Sequence, residues 1–359
     1  MKTLDTKLVL NLGPKEGNPR NSEGSFIRAD DGSIWHTYSQ YCGDLWHDHQ
    51  PCNIAFIRST DEGETWSEPK IIVRAEQLGT TNVMSTSMIR QNDGRIGIYF
   101  GCKFFDRKEG KIDGVWSKIA RAVTSDGENF EIELCKMDAP KGYYVKNNDR
   151  LVRISDGRLV YPVAHYVNGR CSSTLFISED DGKTFKIHDT LLHAGEELMS
   201  KKGFEEPGII EHEDGSFRIW MRSDVGYQYE SFSYDNLKTL TKPVPSAFTS
   251  PRSPMEIERG PGGELYTIYN PVPTYNGRYT PYATHGGRNP LVIRKSTDDG
   301  KTWGDLYVIE ADPERGFCYP AMFFTNDNCL LVSYCRGGGD DGFCLTRHGI
   351  RKFSLDQIK

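Results

Sequence analysis

The stretch FEEPGIIEHEDGSFRIWMR, from Phe204 to Arg222, decides the fold. Two short runs that alternate apolar and polar residues, Gly208 to His212 and Phe217 to Met221, flank Asp214-Gly215. An Asp-Gly pair between such runs signals a β-hairpin, because a tight turn needs residues that tolerate positive φ. If pairing is symmetric about this turn, Glu206 lies opposite Arg222 at the open end of the hairpin. A carboxylate and a guanidinium then meet at one strand mouth.

The same pattern recurs along the chain. FIRADDGSIWHTY, MIRQNDGRIGIYF, LVRISDGRLVYPV, IIEHEDGSFRIWM, EIERGPGGELYTIY and MFFTNDNCLLVSYC all read as strand, turn, strand, with turns at Asp31, Asp93, Asp156, Asp214, Gly262 and Asp327. Successive turns lie 62, 63, 58, 48 and 65 residues apart, room for four strands and their loops in each unit. The expectation is an all-β chain, a six-bladed β-propeller that fills residues 1–359 as a single domain. A second repeat alternates with the first. STDEGETW at 59–66, SEDDGKTF at 178–185 and STDDGKTW at 296–303 share one template, TSDGENF at 124–130 is one residue shorter, and SYDNLKTL at 233–240 keeps only the frame. Asp accepts loop amides, Gly takes the positive φ, and Trp or Phe anchors the loop between strands. These turns are read as structural.

Composition agrees with many short strands. Hydrophobic residues make up 37% and charged residues 26% of 359, with 36 glycines, and no long apolar run at helical spacing occurs. A formal charge of −6 gives no basic footprint for nucleic acid, and no stretch approaches the length of a membrane span. The nine cysteines show no metal-ligand spacing and read as free thiols, with no metal or cofactor expected. The N-terminal MKTLDTKLVLNLGPKEG lacks the apolar core of a signal peptide, so a cytoplasmic location is expected, or an exported one if a leader has been removed.

In a propeller the leading ends of the innermost strands gather around one opening. The residues just ahead of the hairpins include Arg20, Glu23, Asn82, Asn147 to Arg150, Glu205, Glu206, Pro251 to Ser253 and Tyr319. Such a convergence of polar groups suits a binding pocket. Reflection about the turns adds Arg336 opposite Tyr319 and His165 opposite Asn148.

The alternating turns are Asp-boxes, and with the six hairpins they make the chain resemble the sialidase (neuraminidase) superfamily of BNR-repeat propellers. The resemblance implies an exo-acting glycoside hydrolase that releases a terminal sialic acid or related acidic sugar with retention. Three arginines would hold the substrate carboxylate through bidentate pairing, and Arg20, Arg222 and Arg288 match their places. The usual Phe/Tyr-Arg-Ile-Pro context of the first is Pro19-Arg20-Asn21-Ser22 in this chain. The family's nucleophile is a Tyr activated by a Glu, matched by Tyr319 and Glu206. A neutral phenol suits an anomeric carbon that bears its own carboxylate. The resemblance implies an acid/base within CGDLWHDHQPCNIAF, with Asp48 first and Asp44, His47 and His49 as alternatives there, while Glu23 and Glu205 are further carboxylates outside that stretch. Glu23, His49, Asn82, His165 and Arg336 complete the expected substrate contacts.

Two other classes fit the same scaffold: a non-catalytic glycan-binding propeller, and a glycosidase or lyase acting on a uronic-acid glycan through His49, His165 or Glu23. The loop from Pro271 to Gly287, rich in aromatics, is read as a pocket wall, a lid or an oligomer contact.

Overall fold

The structure is a computed structural model that describes residues 1–109, 111–273 and 286–359. Among the described residues it is all-β, with helix limited to 3-10 turns such as Ala75–Leu78 and Glu196–Leu198. All six predicted hairpins form. Each turn carries a residue at positive φ, Gly32, Gly94, Gly157, Gly215 and Gly263 in five of them and Asn328 in the last.

Among the described residues the strands assemble into five hydrogen-bonded sheets in a propeller-like arrangement. The largest has eight strands and consists of two four-strand groups, one from Asn21–Arg28 to Lys70–Val73 and one from Asn82–Arg90 to Glu131–Leu134. The two groups are joined by the parallel pair of Cys52 with Asn82. A sheet built around Leu159–Val167 follows, then one from Glu205–Glu211 to Val244–Thr249 and one from Glu256–Arg259 to Tyr307–Glu310. In the last sheet the strands Cys318–Phe324, Cys329–Cys335 and His348–Ser354 are completed by Lys7–Leu12 from the chain start. The N-terminal segment therefore closes the ring.

Apolar faces of neighbouring sheets supply the core. Tyr266, Ile268, Leu291 and Ile293 of one sheet pack on Met322, Leu330, Val332 and Phe353 of the next, all buried. Each fully buried side chain of this size contributes roughly 1.5 to 3 kcal/mol by leaving water.

The Asp-box turns form as self-contained hydrogen-bond units. In the first, Thr65 N donates to Asp61 Oδ1 at 2.9 Å and Gly63 N to Ser59 Oγ at 2.9 Å. The turns at 178–185 and 296–303 repeat both bonds. The turn at 233–240 also keeps them, and there Leu237 takes the positive φ (60°) that Gly has elsewhere. Gly182 carries a second constraint: a Cβ on it would stand 2.0 Å from the Tyr99 hydroxyl at φ +80°. Gly182→Ala is expected to cost about 2 to 4 kcal/mol in urea unfolding, from backbone strain and overpacking together.

A further repeat ties the sheets together. Arg28, Arg90, Arg153 and Arg259 end their strands, and each donates to the carbonyl of the turn glycine four residues on, at 2.7 to 2.9 Å. Arg90 and Arg153 also reach the carbonyls of Arg28 and Arg90 in the preceding units. Arg28, Arg153 and Arg259 pair with Glu62, Asp181 and Asp299 of the Asp-box turns. One side chain thus fastens a hairpin to its neighbour and to an Asp-box.

Candidate active site

Four inner strands break register just where they enter the centre of the molecule. The shifts fall between Ser22 and Ser25, Met84 and Ser87, Glu205 and Gly208, and Cys318 and Ala321. Inside each lies a non-glycine residue at positive φ: Glu23 (58°), Ser85 (60°), Glu206 (43°) and Tyr319 (56°), with Asp149 (55°) in a comparable place. Bulges re-aim side chains, and backbone strain of this kind costs of order 1 to 3 kcal/mol. Glu23, Ser85, Glu206 and Tyr319 are in this way turned into a common cavity, which also receives Asp48, Lys103, Tyr143 and Lys146.

The bulges correct the symmetric register. Glu205, not Glu206, lies opposite Arg222 in the ladder. The ion pair still forms, because the bulge swings Glu206 back so that its Oε2 accepts from Arg222. Cys318 pairs with Cys335, which leaves Arg336 away from Tyr319, 3.5 Å from Glu310 and donating to Asn11. His165 lies opposite Tyr144 and stacks on its ring at 4.6 Å, outside the cavity. Asn148 instead donates to the Gly24 carbonyl at 2.7 Å.

Tyr319 is the centre of one cluster. Its hydroxyl donates to Glu206 Oε1 at 2.8 Å and accepts from Arg222 at 3.3 Å, and the Arg288 guanidinium stands 5.5 Å from its ring. Burial and the Glu206 charge push the Tyr319 phenol well above its ordinary pKa against the pull of Arg222 and Arg288. The phenol therefore keeps its proton at rest, as expected, with Glu206 within hydrogen-bond reach to accept it. Glu205 is held bidentately at 2.6 Å by Arg252, which lies in the Pro251 to Ser253 stretch expected at the mouth. Arg288 donates to Cys318 Sγ at 3.0 Å beside Cys335 and Cys344.

Arg20 organises a second cluster. Fully buried, it donates to Asp48 Oδ1 at 2.6 Å and Glu23 Oε1 at 3.3 Å, and lies 4.4 Å from the Tyr41 ring centre. Asp48 stands at the rim, its side chain 58% exposed against 4% for Glu23. Burial opposes ionisation of Asp48, yet Arg20 and Lys103 outweigh it and hold the carboxyl below the usual range. Asn82 donates to the main-chain carbonyls of Asp48 and Gln50, so it positions the loop and does not face the cavity. His49 is exposed at the mouth, edge-on to Tyr143 at 6.1 Å, and Asp44 and His47 are exposed on the same loop. Most of the Pro271 to Gly287 loop lies outside the described residues.

Burial raises Glu23 to about 7, with Arg20 pulling the other way. In the unfolded chain this carboxyl ionises near 4.5, so the unfolded state loses its proton first as pH rises. Stability should then fall between about pH 4.5 and 7, by up to about 3 kcal/mol from this group. Glu23→Gln is expected to flatten that segment of a stability profile measured by urea unfolding.

The arginines differ from expectation in one respect. Arg20, Arg222 and Arg288 are at most 9% exposed, occupied by internal acceptors, and do not line the cavity. Its basic lining comes from Lys103 and Lys146, which no hairpin reflection selects. Lys103 in FGCKFF sits in an apolar run, where a lysine is itself a signal of an unusual site.

A family model described as a BNR repeat-like domain matches residues 113–332. The chain belongs to the BNR repeat-like family. Solved structures agree at the level of fold. A Dyadobacter fermentans protein of unknown function is 17% identical, with 97% of this chain and 99% of that one covered and a TM-score of 0.72. An intramolecular trans-sialidase from Ruminococcus gnavus, in complex with oseltamivir carboxylate, is 13% identical over 98% of both chains, with a TM-score of 0.69. The NanB sialidase from Streptococcus pneumoniae is 14% identical, with 99% of this chain and 71% of that one covered and a TM-score of 0.70. No curated protein matches the chain in sequence.

Proposed function

We propose that this sialidase-like chain is an exo-acting, retaining glycoside hydrolase that releases a terminal acidic sugar from glycans. We read its eight-stranded sheet as two blades, which gives a single six-bladed propeller domain. The observation that carries the reading is the 2.8 Å hydrogen bond from Tyr319 to Glu206, flanked by Arg222 and Arg288. A phenol bonded to a carboxylate and surrounded by guanidinium groups is a nucleophile with its base in place.

In the first step the Tyr319 oxygen attacks the anomeric carbon as Glu206 takes its proton. The bond to the leaving oxygen breaks, and that oxygen receives a proton from Asp48. In the second step a water, deprotonated by Asp48, attacks the same carbon from the face the leaving group vacated. Tyr319 departs and recovers its proton from Glu206, so configuration is retained. Asp48 suits the acid role by its place at the rim, where the departing group meets solvent. Because Arg20 and Lys103 hold Asp48 below the usual carboxylate range, Asp48 takes up from the solvent it faces at the rim the proton it donates.

The test is hydrolysis of 4-methylumbelliferyl α-sialoside and 4-methylumbelliferyl β-glucuronide beside the neutral β-glucoside. Turnover of an acidic glycoside with a retained first-formed anomer, followed by NMR, is expected. Folded protein that turns over neither acidic glycoside, or prefers the neutral one, would contradict the reading and favour glycan binding without catalysis.

A further inference from the structure

Two ammonium groups reach the cavity that Tyr319 also lines. Lys103 lies on Ile96–Lys108 and is 5% exposed; Lys146 follows Tyr143–Val145 and is 8% exposed. Each makes one hydrogen bond to a main-chain carbonyl, Lys103 to Asp48 at 2.7 Å and Lys146 to Tyr144 at 3.1 Å. Among the described residues neither forms an ion pair within 4 Å, whereas the three arginines behind the cavity are occupied by internal acceptors. An ammonium has three donors, and a buried one is costly unless it meets an anion.

The fold makes room for this pair. A Cβ on Gly101 would lie 2.9 Å from Lys146 Cε and 3.4 Å from its Nζ, so the bare backbone of the cavity wall is what lets the lysine lie there. Gly101 and Lys103 are two apart on one strand and share its face. Lys103 and Lys146 line the same cavity as Tyr319, and Glu23 acts electrostatically on both Lys103 and Tyr319. Burial also lowers Lys146 to about 7, as expected of an ammonium without a counter-ion.

We propose that Lys146 and Lys103 form an anion subsite that takes a carboxylate or sulfate ester on the substrate sugar. This rests on the reading of Tyr319 as the group that meets the anomeric carbon. It makes the favoured substrate an anionic sugar such as a uronate or a sulfated hexosamine.

The experiment is calorimetric titration of the full chain with D-glucuronate and N-acetylglucosamine 6-sulfate, each beside its neutral counterpart, D-glucose and N-acetylglucosamine. At least one anionic sugar should bind about tenfold tighter than its neutral partner, the size of a charge-assisted hydrogen bond. Preference for glucuronate alone assigns the site to carboxylates, and preference for the sulfated sugar alone to sulfate esters. Lys146→Met should remove the preference while leaving thermal unfolding intact or raised, because it replaces a buried ammonium by an apolar chain. Lys103→Met provides the second variant and should weaken the preference in the same direction. Equal binding of anionic and neutral sugars, an unchanged preference in both variants, or no binding of either anionic sugar at millimolar concentration would overturn the proposal. In Tyr319→Phe the preference should persist. If it persists while Tyr319→Phe also retains turnover, the catalytic reading fails and the subsite stands.

Discussion

Tyr319→Phe is expected to lower kcat on any acidic glycoside the protein hydrolyses by about 10³-fold or more, while leaving the fold in place. The ring is 7% exposed and packs with Cys318, Cys335, Cys344 and Leu345, contacts that phenylalanine keeps. What the substitution removes is the oxygen that donates to Glu206 and accepts from Arg222. One hydrogen bond among buried groups is worth about 1 kcal/mol, so the urea midpoint should move little. Steady-state kinetics and urea unfolding on the same preparation check both parts. A variant that keeps normal turnover would remove the nucleophile from the proposed mechanism.

Arg222→Met should act on stability and activity together. Arg222 is 4% exposed, pairs with Glu206, donates to the Tyr319 hydroxyl and stands 3.7 Å from Glu205. Glu205 keeps Arg252 when Arg222 is lost, but among the described residues Glu206 keeps only Tyr319 as a hydrogen-bond partner. Removing one partner of a buried pair costs about 3 to 5 kcal/mol, because the remaining charge is left out of water without compensation. The double variant Arg222→Met with Glu206→Gln removes that stranded charge and should recover most of the stability, yet none of the turnover. Urea unfolding at neutral pH separates the two effects. A loss below about 1 kcal/mol in the single variant would mean that Glu206 finds another partner or stays hydrated.

Much of this was legible in the chain. The six turns are local, written in Asp-Gly and related pairs, and local signals survive without tertiary information. The Asp-boxes are likewise local, and the one at 233–240 forms despite Leu237 because the Ser and Asp acceptors that hold the turn are still present. Tyr319, Glu206 and Arg222 were found together because they sit at strand mouths and because the superfamily resemblance pointed to them. The register errors at Tyr319 and Glu206 share one cause. Reflection about a turn assumes two residues against two, and a bulge puts an extra residue on one side. That extra residue displaced Arg336 from Tyr319 and put Glu205 opposite Arg222 in the ladder. Nothing in alternating hydrophobicity marks a non-glycine residue at positive φ, although here such residues aim into the cavity. Closure by Lys7–Leu12 and the pairing of Asp48 with Arg20 depend on contacts between distant segments, which local patterns do not encode.

The central claim is that Tyr319 forms a bond to the sugar, and covalent trapping tests it most directly. The wild-type protein would be incubated with a fluorinated acidic glycosyl fluoride, in which fluorine beside the anomeric carbon slows the second step more than the first, and then analysed by intact and peptide mass spectrometry. The expected result is a mass increase of one sugar residue, located on the peptide and side chain of Tyr319 and absent from Tyr319→Phe. An adduct on Glu206, Asp48 or Glu23, or hydrolysis of the reagent with inversion and no adduct, would contradict it.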